Sequence, residues 1–282
     1  MSPTPQGRAW RSRAGDVLVR VATGAAVLVL LVLLATPFLA LVLRASPARL
    51  LARLGDPAVL EALRLSLFTS AAATGIVIAI GAPVAYLFAT RDWPGKRLLE
   101  VLVDLPMVLP PTVAGFALLM AFGRMGLAGK SLAAFGITLP FTTAGVIVAQ
   151  VFMSLPFFVG PVRAGIASVD RRFVEAAATL RASERVTFFR VILPLALPSV
   201  VAGAAMSCAR SLGEFGATIT FAGNLPGTTQ TMPLAVYLSL QSDLEAAVVL
   251  SVLLLLMSFG LLLGLRAAPS GWFWNRARVP AR

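Results

Sequence analysis

The sequence predicts an all-α membrane protein with six transmembrane helices. Of its 282 residues, 58% are hydrophobic and only 13% are charged, whereas a soluble globular domain carries about 25% charged residues. Several apolar runs reach the roughly 20 residues that a helix needs to cross a bilayer, and no segment shows the alternating pattern of a barrel strand. Because lipid offers no partner to unpaired backbone groups, helices are expected to form the spans.

Six apolar runs are long enough to be transmembrane helices. They are residues 21–43, 66–90, 101–122, 141–160, 195–221 and 246–265. The first run follows a basic segment, as in a signal peptide, but its uninterrupted apolar core exceeds the roughly 7–15 residues of a cleaved signal. We therefore expect residues 21–43 to be retained as a peripheral first helix.

The distribution of basic residues predicts the orientation. With the N-terminus in the cytoplasm, 17 of the 24 Lys and Arg residues fall on the cytoplasmic side, in agreement with the positive-inside rule, although those from Arg44 to Arg64 oppose it. Both termini, with basic tails at residues 1–20 and 266–282, are thus predicted to be cytoplasmic in a multi-pass protein of the cell (inner) membrane. The net charge of +12 then reflects topology and attraction to the lipid bilayer, so no nucleic-acid partner is expected.

The chain lacks the residue types that many catalytic and metal sites use. It has no histidine, and its single cysteine, Cys208, lies in the fifth predicted span. These facts exclude His-ligated haem, His/Cys zinc sites and Ser-His or Cys-His nucleophilic catalysis. Gly129-Lys130-Ser131 ends like a phosphate-binding loop, but Arg124 stands where that loop needs glycine. We therefore expect a non-catalytic chain that binds no metal or cofactor, and a separate subunit must supply any ATP hydrolysis.

The connection between the fourth and fifth spans is polar, rich in arginine and about 34 residues long. Its apolar residues at helical spacing predict an amphipathic helix, and they are Val169, Phe173, Ala176 and Leu180. Asp170 is the expected N-cap. A second short helix is predicted from near Ser183 toward Val191, ended by Pro194. Two interfacial helices that rest on lipid head groups are the alternative interpretation.

Two of the spans contain residues that are unusual in a membrane. Three prolines within six residues, Pro106, Pro110 and Pro111, cannot lie in an ideal helix. This part of the third span is either a simple kink or broken backbone that lines a cavity. In the fifth span, Arg210 and Glu214 are four residues apart and can pair on one helix face. Such charges face the protein interior or water, and the pair is either a structural pin between helices or part of a gate.

Three segments resemble motifs of type I ABC importer permeases, in the order that this family has them. Residues 175–177 (EAA) with 191–194 (VILP) resemble the cytoplasmic coupling loop, except that Arg181 stands where the family has glycine. Residues 104–115 resemble a proline-rich stretch of molybdate and sulfate permeases, and residues 213–234 resemble the molybdate branch. The resemblance covers about 200 residues, and on it the chain is identified as a member of this family.

The resemblance implies a permease core of five helices at residues 66–265, with a coupling loop at residues 165–194. The loop is expected to contact a pair of ABC ATPase subunits, which bind ATP and Mg²⁺, through Asp170, Phe173, Glu175, Ala176, Ala177, Leu180, Arg181 and Pro194. A second copy of the chain would complete a homodimer with the translocation path at its interface. Candidate path or gate residues are Pro110, Pro111, Thr112, Ser207, Arg210, Glu214, Thr218 and Asn224. A solute-binding protein would deliver an oxyanion, and the residues do not separate molybdate, tungstate and sulfate.

Two details of the sequence affect packing. A residue at the position of Arg181 must either adopt a left-handed conformation, at a cost of roughly 1 kcal/mol, or make the turn in another way. Gly260 and Gly264 form a GxxxG pair, which is predicted to pack against another helix.

Functions of other classes predict features that differ from these. An ion-coupled secondary transporter usually shows a repeated half or ionisable relays within its spans, and here acidic residues in the spans are nearly confined to Asp104 and Glu214. A membrane-embedded enzyme needs a catalytic constellation, and we can assemble none. The secondary transporter remains an alternative, as does a sulfate or thiosulfate permease within the ABC family.

Overall fold

The structure, a computed structural model, is helical and describes residues 5–267, with side chains from residue 16 to residue 264. Its helices within that range are α1 Pro5–Arg44, α2 Pro47–Leu54, α3 Pro57–Thr90, α4 Lys96–Val108, α5 Pro111–Phe122, α6 Gly129–Ala134, α7 Thr143–Ala167, α8 Arg171–Thr179, α9 Glu184–Thr187, α10 Leu193–Leu212, α11 Gly216–Ala222, α12 Met232–Ser242 and α13 Leu244–Ala267. A π-helical turn, Phe188–Ile192, joins α9 to α10. Most of the predicted C-terminal tail, residues 266–282, lies outside the described residues.

Within the described residues, five stretches of helix are long and apolar enough to cross a membrane. They are Asp16–Arg44, Pro57–Thr90, Thr143–Ala167, Glu184–Leu212 and Leu244–Gly264. They correspond to five of the six predicted spans. The predicted third span is not a continuous helix, because α4 ends at Val108 and α5 begins at Pro111.

The break in the third span has a local cause. Leu109 and Pro110 have extended backbone, with ψ angles of 136° and 132°. Neither Pro110 nor Pro111 can donate a backbone hydrogen bond, and Pro111 occupies the first turn of α5, where no donor is needed. The proline run is therefore a true interruption rather than a bend in one helix.

The prediction of one continuous fifth helix at residues 195–221 is wrong. Helix α10 ends at Leu212, and residues 213–215 are non-helical before α11 begins at Gly216. The carboxylate of Glu214 accepts a hydrogen bond from the backbone N–H of Ala217 at 2.7 Å. Since a side chain that bonds the first free N–H groups starts a new helix, Glu214 separates the two segments.

Helix α7 lies at the centre of the bundle, between α3 and α10. Its Phe158 is fully buried in a core cluster with Val77 of α3 and Ala196 of α10. Glycines bring the helices close, since a Cβ added to Gly81 or Gly203 would meet the ring of Phe158 at 2.7 Å and 3.3 Å, respectively. Buried apolar area of this kind is the main favourable term in holding the three helices together.

The short helices α5 and α11 run parallel and touch through their backbones. A Cβ added to Gly216 would lie 2.7 Å from Pro111, and one added to Gly115 would lie 2.6 Å from the carbonyl oxygen of Ala217. The second segments of the two broken spans, α5 and α11, thus form one closely packed unit.

Helix α1 is peripheral, and its main neighbour is α13. None of the residues in its most apolar 18-residue window is buried. On α13, a Cβ added to Gly260 or Gly264 would meet nothing within 4 Å. The packing predicted for this glycine pair is therefore not made with any residue in the described part of the chain.

Candidate functional site

Helices α8 and α9 form a short projection at one end of the bundle, residues 170–187, as the sequence predicts. The Asp170 carboxylate accepts a hydrogen bond from the Arg172 N–H at 2.9 Å, which starts α8. The Ser183 hydroxyl accepts one from the Val186 N–H at 3.4 Å, which starts α9. Both residues are side-chain N-caps of the kind that satisfies free N–H groups at a helix start. The two predicted helix starts are confirmed.

Arg181 makes the turn between α8 and α9 in the left-handed conformation, with φ = 57°. The N–H of Ala182 donates to the carbonyl oxygen of Ala177 at 3.0 Å, and the N–H of Arg181 donates to that of Ala178 at 2.9 Å. This pair of bonds is the Schellman motif, which usually has glycine at the left-handed position. Arg181 therefore adopts the strained left-handed conformation rather than making the turn in another way.

The projection exposes its predicted apolar stripe from Phe173 onward, whereas Val169, the first residue of that stripe, packs against the core. Phe173 is 55% exposed and Leu180 is 83% exposed, and Glu175 and Ala176 are also exposed. Val174, on the other side of α8, packs against the core instead. Large apolar side chains that remain exposed side by side typically mark a contact surface for another molecule.

Helix α9 continues into the membrane-length helix α10. Pro194 was expected to end the second short helix, and this prediction is wrong. Pro194 lies in the first turn of α10, where a missing N–H is tolerated, and the π-helical turn Phe188–Ile192 bridges the change. The projection and α10 are thus joined by continuous helical backbone over Glu184–Leu212.

The projection is also attached to the end of α3. Arg91 and Glu184 form an ion pair at 2.7 Å. The rings of Tyr86 and Phe188 meet edge to face, with centroids 4.9 Å apart. Between these contacts and α8 lies a cavity of about 490 Å³, lined by residues of α3, α7, α8 and α9. Helix α8 therefore stands away from the bundle and is held at its rim.

In the third span, the candidate residues lie on an open surface. Pro110, Pro111 and Thr112 are exposed, and the backbone N of Thr112 lies beside Gly216 of α11. The same face of α5 also exposes Phe116 by 54%. A surface of this composition is available to a second chain or to a path for solute.

In the fifth span, Arg210 and Glu214 are paired, as predicted, at 2.5 Å. The prediction that they share one helix face is wrong, because Glu214 lies in the break. Its carboxylate is 1% exposed and contacts both Arg210 and the Ala217 N–H, so it links the end of α10 to the start of α11. The Arg210 guanidinium also lies 6.0 Å from the centre of the Phe157 ring.

The other candidates in this region are more enclosed. Ser207 and Thr218 are fully buried within the chain. Asn224 is half-buried in the loop after α11. The structure thus gathers Arg210, Glu214 and Thr218 around the break in the fifth span and places Asn224 apart from them.

Some residues of these sites escaped the sequence analysis. The Arg91–Glu184 and Tyr86–Phe188 contacts join segments about 100 residues apart, so no local pattern points to them. Buried polar residues on α7, such as Gln150 and Ser154, could have been predicted to share one helix face, because they recur at i and i+4 in an otherwise apolar helix.

Comparison with known proteins identifies the family. Residues 78–267 match the family model described as "Binding-protein-dependent transport system inner membrane component". The molybdenum transport system permease protein ModB of Mycobacterium tuberculosis is 44% identical over 237 residues, which cover 84% of this chain and 90% of that protein. A probable sulfate transport system permease protein cysT of Chlorokybus atmophyticus is 34% identical over 211 residues, 74% of each chain.

A solved structure shares the fold. A chain of the bacterial alginate ABC transporter, in complex with an alginate pentasaccharide-bound periplasmic protein, matches with a TM-score of 0.73 at 15% identity, over 92% of this chain and 96% of that chain. The family match and the identity to the mycobacterial permease exclude the ion-coupled secondary transporter and the membrane-embedded enzyme. The chain belongs to the family of binding-protein-dependent transport system inner membrane components, and it is a non-catalytic permease subunit of an ABC importer.

Proposed function

We propose that this chain is the permease of an ATP-driven importer of molybdate, with tungstate as a possible second substrate. The observation that carries the proposal is the 44% identity to a molybdenum transport permease over 84% of the chain. Identity at this level over nearly the whole membrane region supports a shared substrate class as well as a shared fold. Hydroxyl and amide groups near the path suit a tetrahedral dianion, because they bind weakly enough to release it.

The proposed assembly is a homodimer with two ATPase subunits and one solute-binding protein. One chain offers a single α8–α9 projection, and ATPases of this kind work in pairs, so two copies of the chain are needed. The exposed face of α5 and the exposed helix α1 offer surface for the second copy. ATP and Mg²⁺ are bound by the ATPases, and this chain needs no cofactor.

The proposed topology has six spans with both termini in the cytoplasm. Helices α4 and α5 together form the third span, in two pieces of 13 and 12 residues. The distribution of 17 of 24 basic residues on one side supports this orientation. It places the α8–α9 projection in the cytoplasm, where the ATPases are.

The proposed mechanism is alternating access. Closure of the ATPase pair on ATP draws the two α8–α9 projections together through contacts at Glu175, Phe173 and Leu180. Because α9 is continuous with α10, this motion is transmitted to α10, and the Arg91–Glu184 pair and the Tyr86–Phe188 contact carry it to α3. The helices then pivot as rigid elements and open the path outward. Hydrolysis returns the transporter to its resting state.

A sulfate or thiosulfate permease is the second candidate. The 34% identity to a probable sulfate permease is the observation that favours it. The two candidates differ in which oxyanion the complete transporter moves.

The substrate is tested by uptake into proteoliposomes that hold this chain, its ATPase and its binding protein. We expect ATP-dependent uptake of labelled molybdate, which excess tungstate suppresses and excess sulfate leaves nearly unchanged. Suppression by equimolar sulfate would favour the second candidate, and uptake without ATP would contradict both.

The role of the projection is tested by Glu175→Lys. We expect this variant to lose co-purification with the ATPase and transport-stimulated ATP hydrolysis. Glu61→Lys makes the same charge change at an exposed site on α3 near its other end and serves as the control. If Glu175→Lys keeps both assembly and stimulated hydrolysis, the proposed coupling role is wrong.

A further inference from the structure

Five buried side-chain oxygens near the break in the fifth span have no hydrogen-bond partner among the residues that the structure describes. Each belongs to a residue that is at most 1% exposed. They are Gln150 Oε1, Ser154 Oγ, Ser207 Oγ, Ser211 Oγ and Thr218 Oγ1. Native proteins leave few buried polar atoms unsatisfied, and each such atom calls for an explanation.

The four residues on α7 and α10 lie on facing ridges. Gly203 of α10 is in contact with Phe158 and Val162 of α7. Steps of four residues along each helix stay close to the same face. Ser207 and Ser211 therefore lie on the same face of α10 as Gly203. Ser154 and Gln150 lie on the same face of α7 as Phe158.

The two ridges run antiparallel, which sets the level of each residue. Gly165 lies against Ser199, and the Phe157 ring lies near Arg210. Extending this register places Ser211 at the level of Ser154.

Helix α11 covers the part of α7 that carries Gln150 and Ser154, since Ala217 shares a core cluster with Ala149 and Met153. Thr218 follows Ala217 on α11 and is fully buried. The packing thus places the five residues where α7, α10 and α11 meet.

Leaving these oxygens unpaired would be costly. Each unmade hydrogen bond in the interior carries the desolvation penalty of its polar group, and neither lipid nor the apolar core supplies a donor. For five atoms the summed penalty is comparable with the whole net stability of a typical domain. Because a buried water usually makes about three hydrogen bonds to such groups, about two waters would satisfy the set.

A metal cation is a poorer occupant than water. An oxygen-only set can coordinate a hard cation, but this set contains no carboxylate. The neighbouring carboxylate of Glu214 already contacts the Arg210 guanidinium at 2.5 Å and accepts from the Ala217 N–H. The set therefore carries no net negative charge. Neutral hydroxyl and amide groups bind water without such a requirement.

We infer that these five oxygens line an internal water site at the junction of α7, α10 and α11, and that its water lets α10 shift against the other two helices. Hydrogen bonds to water can be remade in a new geometry, whereas interlocked side chains have to be pulled apart. The site lies where α10 ends, so motion of the α8–α9 projection would reach it along one helix. The shift of α10 rests on the proposed function, whereas the water site does not.

The water is tested by radiolytic footprinting of the complete transporter in nanodiscs. Met153 is 2% exposed and adjoins Ser154, whereas Met232 is 0% exposed in a different core cluster. Radicals formed from bound water oxidise neighbouring side chains, so we expect Met153 to be oxidised several-fold faster than Met232. The double variant Ser154→Ala/Ser211→Ala is expected to remove this difference. Equal slow oxidation of both methionines in the unmodified protein would overturn the inference.

Thermal unfolding provides a second readout. Ser211→Ala is expected to lower the midpoint by several degrees if its hydroxyl bonds to water, and to raise it if the hydroxyl is simply unsatisfied. Ser251→Ala is the control, because the Ser251 hydroxyl donates to the carbonyl oxygen of Ala247 in its own helix at 2.7 Å. A raised midpoint for Ser211→Ala contradicts the water site. A midpoint of the unmodified protein that depends on Na⁺ rather than choline would assign the site to a cation instead.

The shift of α10 is tested by uptake. We expect Ser154→Ala/Ser211→Ala to slow ATP-driven uptake several-fold while co-purification with the ATPase is unchanged. Unchanged uptake, with the water signature lost, would refute the mobile role and keep the water. If the unmodified transporter moves no oxyanion at all, the proposed function fails, and the footprinting result stands independently.

Discussion

Leu180 offers a direct test of the idea that the α8–α9 projection binds a partner through its apolar stripe. It is 83% exposed in the isolated chain, so Leu180→Ala removes little that the chain itself buries. Surface substitutions of this kind usually change the free energy of unfolding by less than about 0.5 kcal/mol. The isolated permease should therefore unfold at an unchanged temperature.

The effect on ATPase binding should be much larger. If the partner covers Leu180, the substitution removes about three buried carbons at roughly 0.8 kcal/mol each, or about 2 kcal/mol after allowing for the area already covered. A difference of about 2 kcal/mol per contact corresponds to roughly 30-fold weaker binding. Titration of the detergent-purified permease with its ATPase measures this change directly.

Leu127→Ala provides a matched control, because Leu127 is 95% exposed in the segment between α5 and α6. It should change neither stability nor ATPase binding. Unchanged ATPase binding by Leu180→Ala, or an equal loss with Leu127→Ala, would refute the reasoning.

Three further substitutions test the local geometry. Arg181→Gly should raise the free energy of unfolding by about 0.5–1 kcal/mol in denaturant titrations, because glycine adopts the left-handed turn without Cβ strain; a decrease would contradict the role of that turn. Gly115→Ala should lower the free energy of unfolding by about 1–3 kcal/mol, since the added Cβ would lie 2.6 Å from the Ala217 carbonyl oxygen. Gly75→Ala is the control and should be neutral or stabilising, because its Cβ would meet nothing within 4 Å. Similar effects of both substitutions would contradict the close contact. Lys96 donates to Asp92 at 2.8 Å and holds the pKa of that carboxyl below its ordinary value of 3.8, so the pair stabilises the fold above about pH 4 and ceases to do so as pH falls through the lowered pKa. The thermal unfolding temperature of Asp92→Asn should lack this acid dependence. A pH profile identical to that of the unmodified protein would refute the assignment.

The sequence predicted the elements whose signals are local and strong. The apolar runs at residues 66–90, 141–160 and 246–265 correspond to α3, α7 and α13. Their boundaries differ from the predicted ones, since α7 begins two residues later and ends seven residues later than predicted. Asp56, for example, accepts a hydrogen bond from the Ala58 N–H at 3.0 Å and starts α3 nine residues before the predicted span.

The missed elements depend on contacts between distant segments. Helix α12, Met232–Ser242, lies between the predicted fifth and sixth spans and was not predicted. Its Met232 N–H donates to the Ser66 hydroxyl at 2.7 Å, and its first residues are buried. Helix α2 is amphipathic and is tied to α13 by an ion pair between Arg49 and Glu245. Prolines at the first turns of both helices, Pro47 and Pro233, were the available signals.

The site was predicted unevenly for a similar reason. Asp170 and Ser183 act through their own neighbours in sequence, so their capping roles could be read directly. Glu214 could be paired with Arg210 from spacing alone, but its role in starting α11 could not, because an i, i+4 pair is compatible with an unbroken helix. The continuity of α9 with α10 depends on a π-helical turn, which has no reliable sequence signature.

The most direct test of the account measures the distance between the two α8–α9 projections in the assembled transporter. Arg185 is exposed on α9, and the only cysteine in the chain is Cys208, so Arg185→Cys in a Cys208→Ala background takes one spin label per chain. Pulsed dipolar spectroscopy should show a single distance between the two copies. It should shorten when a non-hydrolysable ATP analogue closes the ATPase pair. A distance that does not change with nucleotide, or the absence of any dipolar signal between two copies, would contradict the central claim that these projections couple ATP to movement of the bundle.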